Sequence, residues 1–170
     1  MGAIRRVDPT RPPGLLRRLL AAVASLRPWL FVSRHVNWYL DPWLLRVTGG
    51  RVASTLVIPT GLLETRGARS GERRRNAIIY FNDVDQDRLI IAASNAGSAR
   101  NPAWYHNLLA HPEVTFNGVP MQARPVDPDQ HPRIWALADN VFPAFAKYRR
   151  TAAAAGRTIP LVELTARPEG

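Results

Sequence analysis

The chain has 170 residues, 46% of them apolar and 21% charged, a balance that describes one globular domain and excludes a disordered or fibrous chain. It contains no cysteine, so disulfides and thiolate chemistry are excluded, and it has no uninterrupted apolar run of about 18 residues able to cross a membrane. The formal net charge is +10, and residues 1–51 hold nine Arg against two Asp, so the positive charge crowds into the first third and points to an acidic surface or ligand.

In chain order, residues 1–14 carry three prolines and two glycines and are expected to form a disordered arm. Residues 15–50 read as a basic amphipathic helical segment. Leu15, Leu16, Leu19, Leu20, Val23 and Leu26 fall on one helical face, with Arg17 and Arg18 off it. Those arginines also break any signal peptide, and Pro28 ends or kinks the helix. Trp29, Trp38, Tyr39 and Trp43 follow, amid Arg34 and Arg46. Residues 51–170 form the expected catalytic domain. Strands are predicted at Leu56–Ile58, Leu62–Thr65, Arg75–Phe81 and Arg88–Ala93. A helix is predicted at Pro102–Ala110, with Asn101 as N-cap and Pro102 in the first helical position. Strands at Glu113–Phe116 and Met121–Val126 are joined by Asn117-Gly118, a strong hairpin turn. Helices follow at Gln130–Asn140 and Phe145–Ala155, the second ended by Gly156. The last strand is Pro160–Thr165. Mostly antiparallel strands with helices to one side suit a small barrel.

Three stretches carry the chemistry. The loop Arg66–Arg75 has five Arg and one Glu, more charge than a solvated turn needs. Gly67 and Gly71 let backbone N–H groups approach an oxyanion, and Arg forks match phosphate and carboxylate. Ser94-Asn95-Ala96-Gly97 follows a buried strand and by itself is an ordinary turn. Trp104, Tyr105 and Asn107 lie in the first turns of a helix whose N-terminus would face an anion. This order of parts suits an anionic, planar cofactor. His35, His106, His111 and His131 make no i, i+4 pair, so no metal site is expected. There is no Gly-x-Ser-x-Gly elbow and no paired-carboxylate motif for hydrolysis.

TRGARSGERR (Thr65–Arg74), AASNAG (Ala92–Gly97), NPAWYHNL (Asn101–Leu108) and, more weakly, GRTIPLVEL (Gly156–Leu164) together resemble the deazaflavin-dependent nitroreductase family, which uses coenzyme F420 on a split β-barrel. The resemblance implies an α+β, mainly antiparallel fold: a split β-barrel, FMN-binding-like, with flanking helices, here with an N-terminal helical arm. It implies that Arg69, Ser70 and Arg74 bind the cofactor's phosphate and glutamate tail. It extends the cofactor site over Arg75, Asn76, Ala77, Ile78 and Ile79, then Ala92, Ala93, Ser94 and Asn95, then Ala103, Trp104, Tyr105, His106 and Asn107. Ser94 and Tyr148 are the implied catalytic residues, and Ser94, Trp104, Phe145 and Tyr148 the implied substrate contacts. The chain departs from the family in three places. Ala68 stands where the family often has Arg, Ala96-Gly97 replaces a Gly pair, and Phe145 replaces a phenol that contacts substrate.

The expected function is F420-dependent reduction, with a hydride passing from the reduced deazaflavin to a quinone, enone or nitro compound. An FMN-dependent split-barrel reductase and a non-catalytic cofactor-binding protein stand as alternatives. No nucleic-acid motif accompanies the basic charge, so nucleic acid is not an expected partner. The arginines and tryptophans of residues 15–50 suit an anionic membrane surface. The expected location is cytoplasmic, peripheral on the inner face of the cell membrane, where a lipid-soluble quinone would be within reach.

Overall fold

The computed structural model describes Ile4, residues 6–10 and residues 58–167. The amphipathic segment 15–50 and most of the strand expected at Leu56–Ile58 lie outside the described residues. Ile58 itself sits in a bend.

Six strands are described: β1 Thr60–Arg66, β2 Arg73–Asp83, β3 Arg88–Ala92, β4 Glu113–Phe116, β5 Val119–Pro125 and β6 Leu161–Ala166. They close into a barrel in the order β1-β2-β3-β6-β5-β4, with every pair antiparallel. Among the described residues three α-helices flank it: α1 Ala103–Ala110, α2 His131–Val141 and α3 Ala144–Ala154. The expected α+β barrel is therefore the fold.

Alternation along the strands builds the core. Leu63, Tyr80, Phe116 and Leu164 are buried in one cluster, and Tyr80 meets Phe116 edge-on at 5.1 Å between ring centres. β3 is buried along its whole length, because α2 and α3 add Ile134, Ala138, Phe145 and Ala152 to the same core. A fully buried side chain of this size contributes about 1.5–3 kcal/mol.

The seam between β1 and β4 is short, with Leu63 opposite Phe116 and Glu64 opposite Thr115. Asn117 extends it. Its N–H donates to Leu62 O at 2.9 Å and its Oδ1 accepts from Leu62 N at 2.7 Å. Asn117 and Gly118 both have positive φ, as the predicted two-residue hairpin requires.

At one end of the barrel Asp83, Arg88 and Glu163 are buried together, tying β2, β3 and β6. Arg88 donates to Asp83 at 3.0 Å and also to Glu163 and Gln130, while Arg133 of α2 forks onto Asp83 at 2.6 and 2.9 Å. Burial pushes the Asp83 carboxyl up, but hydrogen bonds and charge from Arg133 and Arg88 outweigh it and hold the group below its ordinary value.

Several boundaries differ from expectation. Within the arm expected to be disordered, Val7 is buried and exchanges hydrogen bonds with Asn82, at 2.7 Å to its side chain and 2.9 Å from its backbone N–H. An apolar side chain and an open strand edge outweigh the prolines around it. β2 begins at Arg73, so the Gly/Arg loop spans only residues 67–72. Asn101 is not a capping residue: Pro102 holds the N-cap position, without a side-chain cap. The Asn101 side chain accepts a hydrogen bond from Arg157 at 2.6 Å, a partner 56 residues away.

Candidate functional site

The β1–β2 turn is the first component. Gly67 N–H donates to Glu72 O at 2.8 Å and Gly71 N–H to Gly67 O at 2.9 Å, closing a tight loop with Gly71 at φ +69°. Arg69 and Ser70 are exposed at its tip. The arginines behind it are less free than the sequence suggests. Arg74 pairs with Glu72 at 2.7 Å, and Arg73 and Arg75 both reach Glu64, at 3.5 and 2.8 Å. Among the described residues, Arg66 and Arg69 have no carboxylate partner, so they are the cations of this loop with charge to spare.

Asn107 fixes the loop to α1. It is buried, its Oδ1 accepts from Ala68 N–H at 3.0 Å, and its Nδ2 donates to Thr65 Oγ1 at 3.1 Å. Both ends of the amide are thus engaged inside the protein. Asn107 thus holds the loop against α1, since a buried amide keeps its hydrogen-bonding groups partnered. Helix geometry sorts its neighbours in the same way. Trp104 and Leu108 point into the core, Ala103 and His106 are exposed, and Tyr105 is half-buried between them. Burial pushes the Tyr105 phenol up from its ordinary value of 10.0. Residues Ala103–Asn107 thus divide between the core and the surface.

Strand geometry divides the next group. Asn76 and Ile78 share a face with Tyr80, while Arg75, Ala77 and Ile79 share the other, where Ala77 packs on Leu62. Asn76 through Ile79 are all partly exposed, so side chains on either face remain reachable.

The β3–α1 loop is the second component. Ala92 and Ala93 are buried, Ser94 is half-exposed and Asn95 exposed. Asn95, Ala96 and Gly97 are successively left-handed, at φ +45°, +51° and +80°. A Cβ at Gly97 would lie 2.9 Å from Tyr148 O and 3.0 Å from Thr151 Cβ, so the loop rests directly on α3. That contact brings the segments of Ser94 and Tyr148 together. Phe145 is 2% exposed and belongs to the core, with ring centres 5.2 Å from Phe142, 5.9 Å from Trp135 and 6.4 Å from Tyr148. Trp104 is likewise buried in the core, and Tyr148, packed on Phe145, is partly exposed.

Arg157 escaped the sequence reading. It joins the β3–α1 loop to the segment after α3, donating to Ala93 O, Ser94 O and Asn101 Oδ1. Its only sequence signal was its place in the weaker GRTIPLVEL match.

A cleft of about 340 Å³ beside the β1–β2 turn lies across β1, β4 and β5, lined by Glu64, Arg66, Gly71, Arg73, Glu113 and Arg167. Most of its cations are spent on its own carboxylates, with Arg73 on Glu64 and Arg167 on Glu113 at 3.1 Å. Arg66 is the lining arginine left without a carboxylate partner among the described residues. Among the described residues no cluster of His, Asp and Glu could hold a metal.

Comparisons with known proteins bear on this arrangement. Residues 38–166 match the family described as F420H(2)-dependent quinone reductase. The chain is 35% identical over 152 residues to the F420H(2)-dependent quinone reductases of Mycobacterium tuberculosis strains H37Rv and CDC 1551, covering 82% of this chain and 97% of each relative. A solved structure of an F420-H2 dependent reductase aligns at TM-score 0.54 with 26% identity, covering 63% of this chain and 94% of that one. The deazaflavin and the barrel implied by the resemblance stand, and of the expected acceptors the family description names a quinone. The chain belongs to the F420H(2)-dependent quinone reductase family, and it is an oxidoreductase whose cofactor is coenzyme F420.

Proposed function

We propose that the acceptor is a quinone, reduced at the surface shared by the Ser94 loop and α3. The observation that carries this reading is the seating of Gly97, in the loop of the half-exposed Ser94, against the helix of Tyr148, in a chain whose glycine loop leaves Arg66 and Arg69 without a carboxylate partner among the described residues. The donor set fits the cofactor, since the loop offers guanidinium groups to an anionic tail and the Ser94 turn offers backbone polar groups to a ring. When bound and reduced, coenzyme F420 supplies a hydride, and the quinone takes up that hydride and one proton to become a hydroquinone.

The chain's own residues have distinct tasks. Arg69 and Ser70 bind the tail together with Arg74, which also pairs with Glu72. The partly exposed residues Asn76–Ile79 border the ring. Ser94 and Tyr148 orient the quinone oxygen, and Trp104 and Phe145 hold that surface rigid, which near-attack geometry demands. Residues 51–170 act as the catalytic unit. The stretch Leu15–Leu26 docks reversibly on anionic lipid and places the site beside a lipid-soluble quinone. Among the described residues no helix is long and apolar enough to cross a membrane.

The test is titration of the full chain with coenzyme F420 and FMN, then an acceptor screen with the reduced deazaflavin. Tighter binding of F420 than FMN and preferential turnover of a naphthoquinone over an enone or nitroimidazole are expected. Equal binding of both cofactors, or turnover confined to the nitro compound, rejects the reading. Sedimentation with anionic and neutral vesicles tests the docking segment separately.

A further inference from the structure

Arg157 gathers three acceptors from one short stretch: Ala93 O at 3.1 Å, Ser94 O at 2.6 Å and Asn101 Oδ1 at 2.6 Å. Its Nε is buried without a partner. No carboxylate among the described residues pairs with it, and burial lowers its pKa. A cation in this setting is expensive, so its effect on the loop calls for an explanation beyond folding.

Peptide geometry supplies one. A trans peptide points its C=O and N–H in opposite directions. Drawing the carbonyls of Ala93 and Ser94 to one side therefore turns the N–H groups of Ser94 and Asn95 to the other. Neither N–H donates to a backbone or side-chain acceptor among the described residues. Ser94 is right-handed, at φ −68° and ψ −39°, and Asn95 is left-handed, at φ +45°. Right- followed by left-handed backbone makes successive N–H groups converge into a concavity that binds negative charge. Gly97 N–H closes the turn by donating to the same Ser94 oxygen at 2.9 Å. Arg157 thus sits behind two donors that face outward.

We propose that Arg157 is a positioning residue of the redox site: through the Ala93–Asn95 peptides it aims two backbone N–H groups at the negative charge spread over the deazaflavin ring. The inference rests on the reading of the Ser94 loop as the ring's neighbour. The planar fork matters as well as the charge, because one ammonium group does not span two carbonyls and the Asn101 amide together. The uncompensated charge behind the donors adds to their dipoles, a preorganised arrangement that needs no movement when charge develops.

The experiment uses oxidised coenzyme F420, whose ring hydroxyl ionises with a change in visible absorption. It is titrated into the full chain and into Arg157→Met and Arg157→Lys, across pH, with thermal melts as a control for folding. In the wild type the bound ring ionises at lower pH than the free cofactor. Arg157→Met moves that ionisation back by about one pH unit and weakens binding of the ionised form about tenfold. Arg157→Lys recovers part of both effects. A folded Arg157→Met with unchanged ionisation and binding overturns the proposal. Should Arg157→Met fail to fold, the lysine variant decides, and wild-type behaviour there overturns it equally. The underlying site reading fails in a different way, by absence of saturable F420 binding in the wild type or by unchanged binding in Arg69→Ala.

Discussion

Asn107→Ala tests whether the anion loop depends on α1. The substitution deletes the acceptor for Ala68 N–H at 3.0 Å and the donor to Thr65 Oγ1 at 3.1 Å. Each hydrogen bond contributes about 0.5–1.5 kcal/mol net. The exposed Ala68 N–H can be rehydrated, whereas the buried Thr65 hydroxyl and the space left by the amide cannot recover fully. The expected loss is about 2–3 kcal/mol, or about 5–10 °C in melting temperature for a chain of this size. Asn107→Asp is the informative companion. Its carboxylate still accepts from Ala68 N–H, and the Thr65 hydroxyl turns to donate, so the loss is roughly half as large. Calorimetry and urea unfolding give the stabilities, and fluorescence titration gives F420 affinity. Both variants loosen the loop, so F420 binding weakens in the same order as stability. A melting temperature within 1 °C of wild type for Asn107→Ala, on the scale of roughly 2–4 °C per kcal/mol, would refute the argument that this amide holds the loop.

Three further outcomes follow from particular contacts. Arg69→Ala should weaken F420 binding by about 1.5–3 kcal/mol and exceed Arg74→Ala, since Arg74 already serves Glu72; equal losses by titration would contradict that ranking. Asp83 has a folded value below 3.8, so its contribution is intact above about pH 4 and disappears as the pH falls through that lower value. Asp83→Asn should cost about 3 kcal/mol at pH 7 and flatten the acid side of the stability profile; an unchanged acid slope in pH-dependent urea melts would count against it. At Ala96, φ +51° is strained for any residue with a Cβ, so Ala96→Gly should raise stability by about 0.5–1 kcal/mol. Gly97→Ala, at φ +80° with 2.9 Å to Tyr148 O, should lower it by about 2 kcal/mol or more, and thermal melts of the pair check both signs.

Local chemistry in the sequence was enough to specify most of the elements. Short apolar runs marked β2 and β3, Asn117-Gly118 marked the β4–β5 hairpin, and Gly156 marked the end of α3, where it has φ +73°. The three motif stretches were enough to identify the deazaflavin family and its barrel. Each depends on residues within a few positions of one another, so the sequence displays it directly. The tertiary structure decided which polar groups are spent and which remain available. Arg73 and Arg75 lean on Glu64, Asn107 turns inward, and Arg157 reaches Asn101 across 56 residues. The barrel decided these pairings by bringing distant segments into register: side-chain oxygens and guanidinium groups combine only at hydrogen-bond distance, and neither composition nor spacing fixes that distance until β1 has closed on β4.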